Sequence, residues 1–154
     1  GSEMCIRDSL TIAADHFCLF VIKVMNPLVS WKPWYSQSDQ AGHDYVRHET
    51  GGAVVYISEN SNAKVLTLGG AITAGSVHLV EIRRSSNDMD IWVDGSDVTN
   101  GTQTDDGSEY GPGSIFGVGS WSGHIGELLV YSSALSGDDL TNIRTWANTK
   151  WSIY

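Results

Sequence analysis

The chain has 154 residues, with Asp and Glu outnumbering Lys and Arg 18 to 9, a length that suits one domain of roughly 100–200 residues. The net charge of −9 excludes a phosphate-binding surface of clustered Lys and Arg, and so a nucleic-acid partner. No apolar run reaches the length of about 18 residues that a membrane span needs, so insertion into a membrane is not expected.

The chain opens with Gly1-Ser2, which has the form of a scar left by a cleaved tag. Glu3 to Ser9 resembles a translated sequencing adapter at the end of a metagenomic reading frame, and it lacks the apolar core of a secretory signal. On this reading residues 1–9 are a non-native leader. The domain is expected at residues 10–154, with a first strand missing, and a viral or environmental bacterial source follows. Cys5 and Cys18 are too few for a disulfide framework. One bridge between them stays open as an alternative, but Cys18, inside an apolar run, is expected to be a buried free thiol.

His16 to Val24 is apolar on both pleat faces, as a central strand would be, and Asn26-Pro27 ends it. Leu28 to Ser38 holds Trp31, Trp34 and Tyr35 around Pro33 without a clear strand register. Short strands are predicted at Asp44 to His48, Ala53 to Ser58 and Lys64 to Leu68, separated by turns at Gly51-Gly52 and Asn60 to Ala63. Val77 to Arg84 and Met89 to Val93 form the clearest hairpin. In its second strand Met89, Ile91 and Val93 share one face, and Asp90 and Trp92 the other. Asp94-Gly95 supplies the positive-φ pair of a tight turn. Thr99 to Gly113 is a polar loop, and long loops on rigid scaffolds often carry function.

Ser114 to Gly119 and Ile125 to Tyr131 are strand candidates, the second leading through a turn at Ser132 to Leu135 into a helix opened by Ser136. Asp138 and Asp139 lie in the helix's first turn, where its dipole favours negative charge. Leu140, Ile143, Ala147 and Trp151 recur at helical spacing and mark its apolar face, with Trp146 close by. The many Gly, Trp and Tyr residues and the single helix signal predict an all-β sandwich with one short C-terminal helix.

Gly126 to Tyr131, then Ala134-Leu135-Ser136 and an amphipathic helix ending in Lys150-Trp151, resembles the end of a laminin-G-like domain. More broadly it resembles the concanavalin A-like lectin/glucanase superfamily. His78 to Val98 is similar to that family's central hairpin, and Ser114 to Gly119 to its penultimate strand. The likeness spans about residues 10–154 and rests on strands and turns. It implies the fold, an all-β, two-sheet antiparallel jelly-roll sandwich with one short C-terminal helix, more strongly than any activity.

Glycosidases of this superfamily need two carboxylates placed to protonate the leaving oxygen and to attack or activate water. One branch sets them on a single strand as Glu-x-Asp-x-Glu, a motif missing from this sequence. Asp88, Asp90 and Asp94 share a strand face but bring no Glu, and Asp94 is better explained by its turn. Glu81 and Glu127, on separate strands, are read as solvated or hydrogen-bonded strand carboxylates rather than an acid and base pair. No Gly-x-Ser-x-Gly elbow leads into a helix. Neither a helical His-x-x-x-His nor a Cys-x-x-Cys is present to suggest zinc. The expectation is a non-enzyme.

Calcium remains open from the resemblance, since laminin-G-like and legume-lectin-like relatives often bind it in loops. Asp39 with Asp44, and Asp105 with Asp106 near Glu109, offer oxygen donors without a spaced calcium motif. Carbohydrate binding has positive support. Sugars present apolar C–H faces and dense hydroxyls, which an aromatic platform beside Asp, Asn and Gln can match. Trp34 and Tyr35 with Asp39 and Asp44 form one such group, and Asp105, Asp106 and Tyr110 with Trp121 form another. Trp92, Trp146 and Trp151 are expected to be buried core residues. The resulting reading is a non-catalytic, lectin-like module of an extracellular or virion protein that recognises a glycan or cell-surface polysaccharide. The alternative is a structural or adhesion module of a phage tail or bacterial surface, partnered by other virion or surface proteins.

Overall fold

The computed structural model describes residues 15–25, 32–36, 45–48, 50–58, 63–67, 71–85, 88–100 and 123–154. It shows two five-stranded sheets and one helix. The strands, in chain order, are β1 (His16–Val24), β2 (Lys32–Ser36), β3 (Tyr45–His48), β4 (Val54–Ser58), β5 (Ala63–Thr67), β6 (Val77–Ser85), β7 (Asp88–Val93), β8 (Ser96–Asp97), β9 (Thr99–Asn100) and β10 (Gly123–Tyr131). The helix α1 (Gly137–Trp151) follows. Sheet A runs β10-β1-β6-β7-β8 and sheet B runs β2-β3-β4-β5-β9. All the pairings are antiparallel. This is the all-β sandwich with a C-terminal helix that the strand pattern predicts.

Alternation along β1 explains the layers. Cys18, Phe20, Ile22 and Val24 point between the sheets and join Val80, Ile82, Met89, Ile91 and Val93 of sheet A with Val46 and Val54 of sheet B. Phe17, Leu19 and Val21 point outward and are covered by Leu140 and Ala147 of α1. β1 is therefore apolar on both faces because both faces are buried. Each fully buried large aliphatic or aromatic side chain contributes roughly 1.5–3 kcal/mol. Cys18 is fully buried in this core, as expected.

The β7–β8 turn has the predicted geometry, with φ of 51° at Asp94 and 77° at Gly95. Val98 then carries the chain from sheet A to sheet B. The crossing is pinned by Thr99, whose hydroxyl accepts from Ile91 N at 2.9 Å and donates to Ile91 O at 3.2 Å. Thr99 and Asn100, read from sequence as the start of a loop, instead pair with Thr67 and Leu66. The unclear stretch around Pro33 contains the edge strand β2, with an irregularity in its pairing. The register passes from Pro33–Arg47 to Tyr35–Val46, leaving Trp34 as the extra residue.

β10 carries a second irregularity, between the pairs Val21–Glu127 and Ile22–Ile125, with Gly126 as the extra residue. A Cβ on Gly126 would lie 2.7 Å from the Trp151 ring, so this glycine lets the end of α1 approach the sheet. Ser136 caps α1 in an extended conformation but without a side-chain hydrogen bond to the helix, a weaker cap than expected. Asp138 and Asp139 occupy the first turn as predicted. Among the described residues no helix is long and apolar enough to cross a membrane.

Candidate functional site

The structure treats the sequence-predicted binding residues unequally. Trp34 and Tyr35 lie on β2, at the edge of sheet B and at its irregularity. A bulge at a sheet edge re-aims side chains and is a common feature beside binding sites. Asp39, Asp44, Asp105, Asp106, Tyr110 and Trp121 fall outside the described residues, as do Glu109 and the strand predicted at Ser114 to Gly119. Among the described residues no three His, Cys, Asp or Glu side chains gather as a metal site.

The carboxylates weighed as a catalytic pair have another occupation. Glu81 is fully buried beneath α1. Arg144 Nε donates to both its oxygens, at 2.7 and 3.0 Å. Burial pushes the Glu81 carboxyl above its usual value, and the Arg144 guanidinium offsets part of that rise. Glu127 accepts from Lys150 Nζ at 2.5 Å. In register Glu81 lies opposite Leu19 and Glu127 opposite Val21, on either side of β1. Two strand spacings and a two-residue offset separate their Cα atoms by about 12 Å. The two carboxylates thus anchor the helix at two points, which bears out the reading of them as hydrogen-bonded strand residues.

Trp92 completes this anchorage. It is buried as predicted, with Arg144 Cζ 5.0 Å and Arg83 Cζ 5.1 Å from its ring centroid. Arg83 is in turn held by Asp90, Nη2 to Oδ2 at 2.6 Å. Attraction between the two cations and the indole adds to the apolar packing.

A second polar chain runs Asp94–His78–Thr73. Thr73 N donates to His78 Nε2 at 3.0 Å, so the proton is on Nδ1, which donates to Asp94 Oδ2 at 2.8 Å. Asp94 Oδ1 also accepts from Leu79 N at 2.9 Å. The order mimics an Asp–His–hydroxyl relay, with Thr73 Oγ1 3.2 Å from Nε2. The lone pair that would serve as a base is already engaged by a backbone N–H, so the arrangement clamps a loop onto the hairpin and activates no nucleophile.

The described residues also form an open groove of about 460 Å³, lined by Tyr131, Leu135, Asp139, Asn142, Ile143 and Trp146. Trp146 is 40% exposed, contrary to the expectation that it is core. The reason is helical geometry. Ala147, fully buried, sits at the middle of the apolar stripe, and its neighbour Trp146 is turned about 100° away from the sheet. Trp151 is half-buried and packs onto Gly126. The groove was missed from sequence because its two walls, the end of β10 and the outer side of α1, each read as ordinary surface.

No protein-family model matches the sequence, and no curated protein does. Solved structures do. The native heptameric SAP-like pentraxin of Limulus polyphemus superposes with a TM-score of 0.63 at 16% identity, over 94% of this chain and 78% of that one. The fold is concanavalin A-like. A similar fold is found in the CBM40 of the Ruminococcus gnavus IT-sialidase, solved bound to alpha2,3 sialyllactose. It matches with a TM-score of 0.57 at 11% identity, over 86% of this chain and 83% of that one. Mouse laminin alpha1 LG4-5 matches with a TM-score of 0.59 at 11% identity, over 86% of this chain and 42% of that one. The laminin-G likeness noted in Gly126 to Trp151 therefore holds for the fold.

Proposed function

We propose that this domain is a non-catalytic glycan-recognition module of an extracellular or virion protein. Trp34, Tyr35, Asp39, Asp44, Asp105, Asp106, Tyr110 and Trp121 are the residues proposed to contact the sugar. The observation that carries the reading is Trp34 at the irregular edge of β2 in a concanavalin A-like sandwich. There an aromatic platform can meet the C–H face of a sugar while neighbouring carboxylates accept its hydroxyls. The sialyllactose bound by the R. gnavus module supports the same class of ligand. The occupation of Glu81 by Arg144 and of Glu127 by Lys150 supports a binding role over hydrolysis.

The test is a glycan array probed with the whole chain, in calcium and again in EDTA. Binding lost in Trp34→Ala or Trp121→Ala, and indifferent to EDTA, is the expected result for an aromatic platform. Calcium-dependent binding that disappears in Asp39→Ala or Asp105→Ala would place an ion in the site. An array without hits from a folded sample would overturn the reading in favour of a structural or adhesion module with protein partners.

A further inference from the structure

The groove beside α1 has a chemistry of its own. Its aromatic wall is rigid: Lys150 Nζ lies 4.9 Å over the Trp146 ring and is itself bonded to Glu127, so the exposed indole is held against the sheet. Tyr131, across the groove, is braced by Phe17, with ring centroids 6.2 Å apart. Around these rings the Asp139 carboxylate, the Asn142 amide and the Tyr131 hydroxyl make no hydrogen bonds among the described residues. Their donor and acceptor capacity is open to a ligand. The volume of about 460 Å³ falls in the range of roughly 300–1,000 Å³ typical of small-molecule sites.

The geometry points to a second glycan subsite here, for a neutral pyranoside stacked on Trp146 and hydrogen-bonded by Asp139, Asn142 and Tyr131. The subsite shares the glycan-recognition reading given above but uses none of its residues. It lies on the face of sheet A turned away from sheet B. Charge selects the ligand class. Asp138 and Asp139 stand exposed at the start of α1, and the ammonium of Lys150 is committed to Glu127, so uronates and sialic acids are repelled. The same two aspartates, and a net charge of −9, oppose a membrane surface, where an amphipathic helix needs Lys and Arg on its polar face. A peptide helix needs a continuous apolar trough, whereas free polar groups interrupt this one.

The experiment is a titration of the uniformly 15N-labelled full chain with cellotriose, maltotriose and N,N′-diacetylchitobiose as neutral probes, and 3′-sialyllactose as the acidic one. The Trp146 indole N–H signal is identified by its absence in Trp146→Phe. The expected result is that a neutral probe moves that signal and the acidic probe does not. Trp146→Ala, and Asp139→Asn with Asn142→Ala, should each weaken this binding about tenfold or more, an aromatic or polar anchor at the centre of a site being worth more than 1 kcal/mol. Trp34→Ala should leave it unchanged. The Asp139, Asn142 and Trp146 side chains are exposed, so their variants should fold, and thermal melts would check every variant. Shifts confined to other tryptophans, with Trp146 still, would overturn the second subsite and leave the first standing. A preference for sialyllactose at Trp146 would overturn the ligand class. No shift with any probe would overturn the second subsite, while the first reading is decided separately by the glycan array.

Discussion

The two faces of sheet A are both buried, but by different means. The inner face meets sheet B mainly through apolar side chains, from Cys18 and Phe20 on β1 to Met89 and Ile91 on β7, with the register partners His16 and Arg84 buried at one end. The outer face meets α1 through an apolar centre of Phe17, Leu19, Leu140 and Ala147 flanked by ion pairs, Glu81–Arg144 on one side and Glu127–Lys150 on the other. An inner face made of strands can rely on shape, because backbone hydrogen bonds already fix the register. A helix on a flat sheet has no such ladder, and the paired charges supply the register instead. The contrast teaches that the charges on this sheet fix the position of the helix, whereas the inner face supplies most of the hydrophobic stability.

The largest disruption should come from the inner face. Phe20→Ala should cost about 3–5 kcal/mol in urea unfolding, through lost transfer energy and a cavity at a site with no exposure. Arg144→Ala should follow at about 3 kcal/mol, because it leaves Glu81 buried with its charge uncompensated. If charge specifies position more than stability, Glu81→Leu combined with Arg144→Met should cost clearly less than Arg144→Ala alone. Gly126→Ala should cost roughly 1–3 kcal/mol by driving a methyl group into Trp151. A melting temperature equal to that of the parent would mean that the helix end is not seated there.

The next effect is a dependence on pH. Glu81 titrates above its ordinary 4.5 in the folded chain, chiefly because it is buried. The native state therefore keeps this proton over a range where the unfolded chain has lost it. Its contribution to stability is complete below 4.5 and is lost as pH rises through the folded value. Glu81→Gln should flatten that decline, seen as a mutant-minus-parent stability difference that grows with pH above 4.5 and then levels. A constant difference would show that the pair with Arg144 holds Glu81 ionised throughout. The smallest effect should be that of Trp146→Ala, within about 0.5 kcal/mol, since the indole is largely outside the core.

Local features were legible in the sequence. The two-faced apolar run of β1, the alternation in β7, the Asp94-Gly95 turn and the 3.6-residue stripe of α1 are written in consecutive residues, and each stands where its pattern placed it. What was not legible depends on long separations. Glu81 and Arg144 are joined only after α1 folds back over the sheet, and nothing near either residue announces the partner. Trp146 was assigned to the core by its size and its nearness to the stripe. A single residue of helical rotation decided otherwise. Of the candidate site, Trp34 and Tyr35 were placed on an irregular edge strand that the Pro33 neighbourhood had obscured.

The pairing of β1 also bears on when the protein can form during its synthesis. Phe17 pairs with Arg83 on one side and with Tyr131 on the other. Phe17 leaves the ribosome 66 residues before Arg83 and 114 residues before Tyr131, so the central strand of sheet A waits for both of its neighbours. Until then β1 is an apolar ribbon with two open edges, a hazard for pairing with other chains. Completion of this sheet therefore waits for β10 and is slow by the measure of sequence separation.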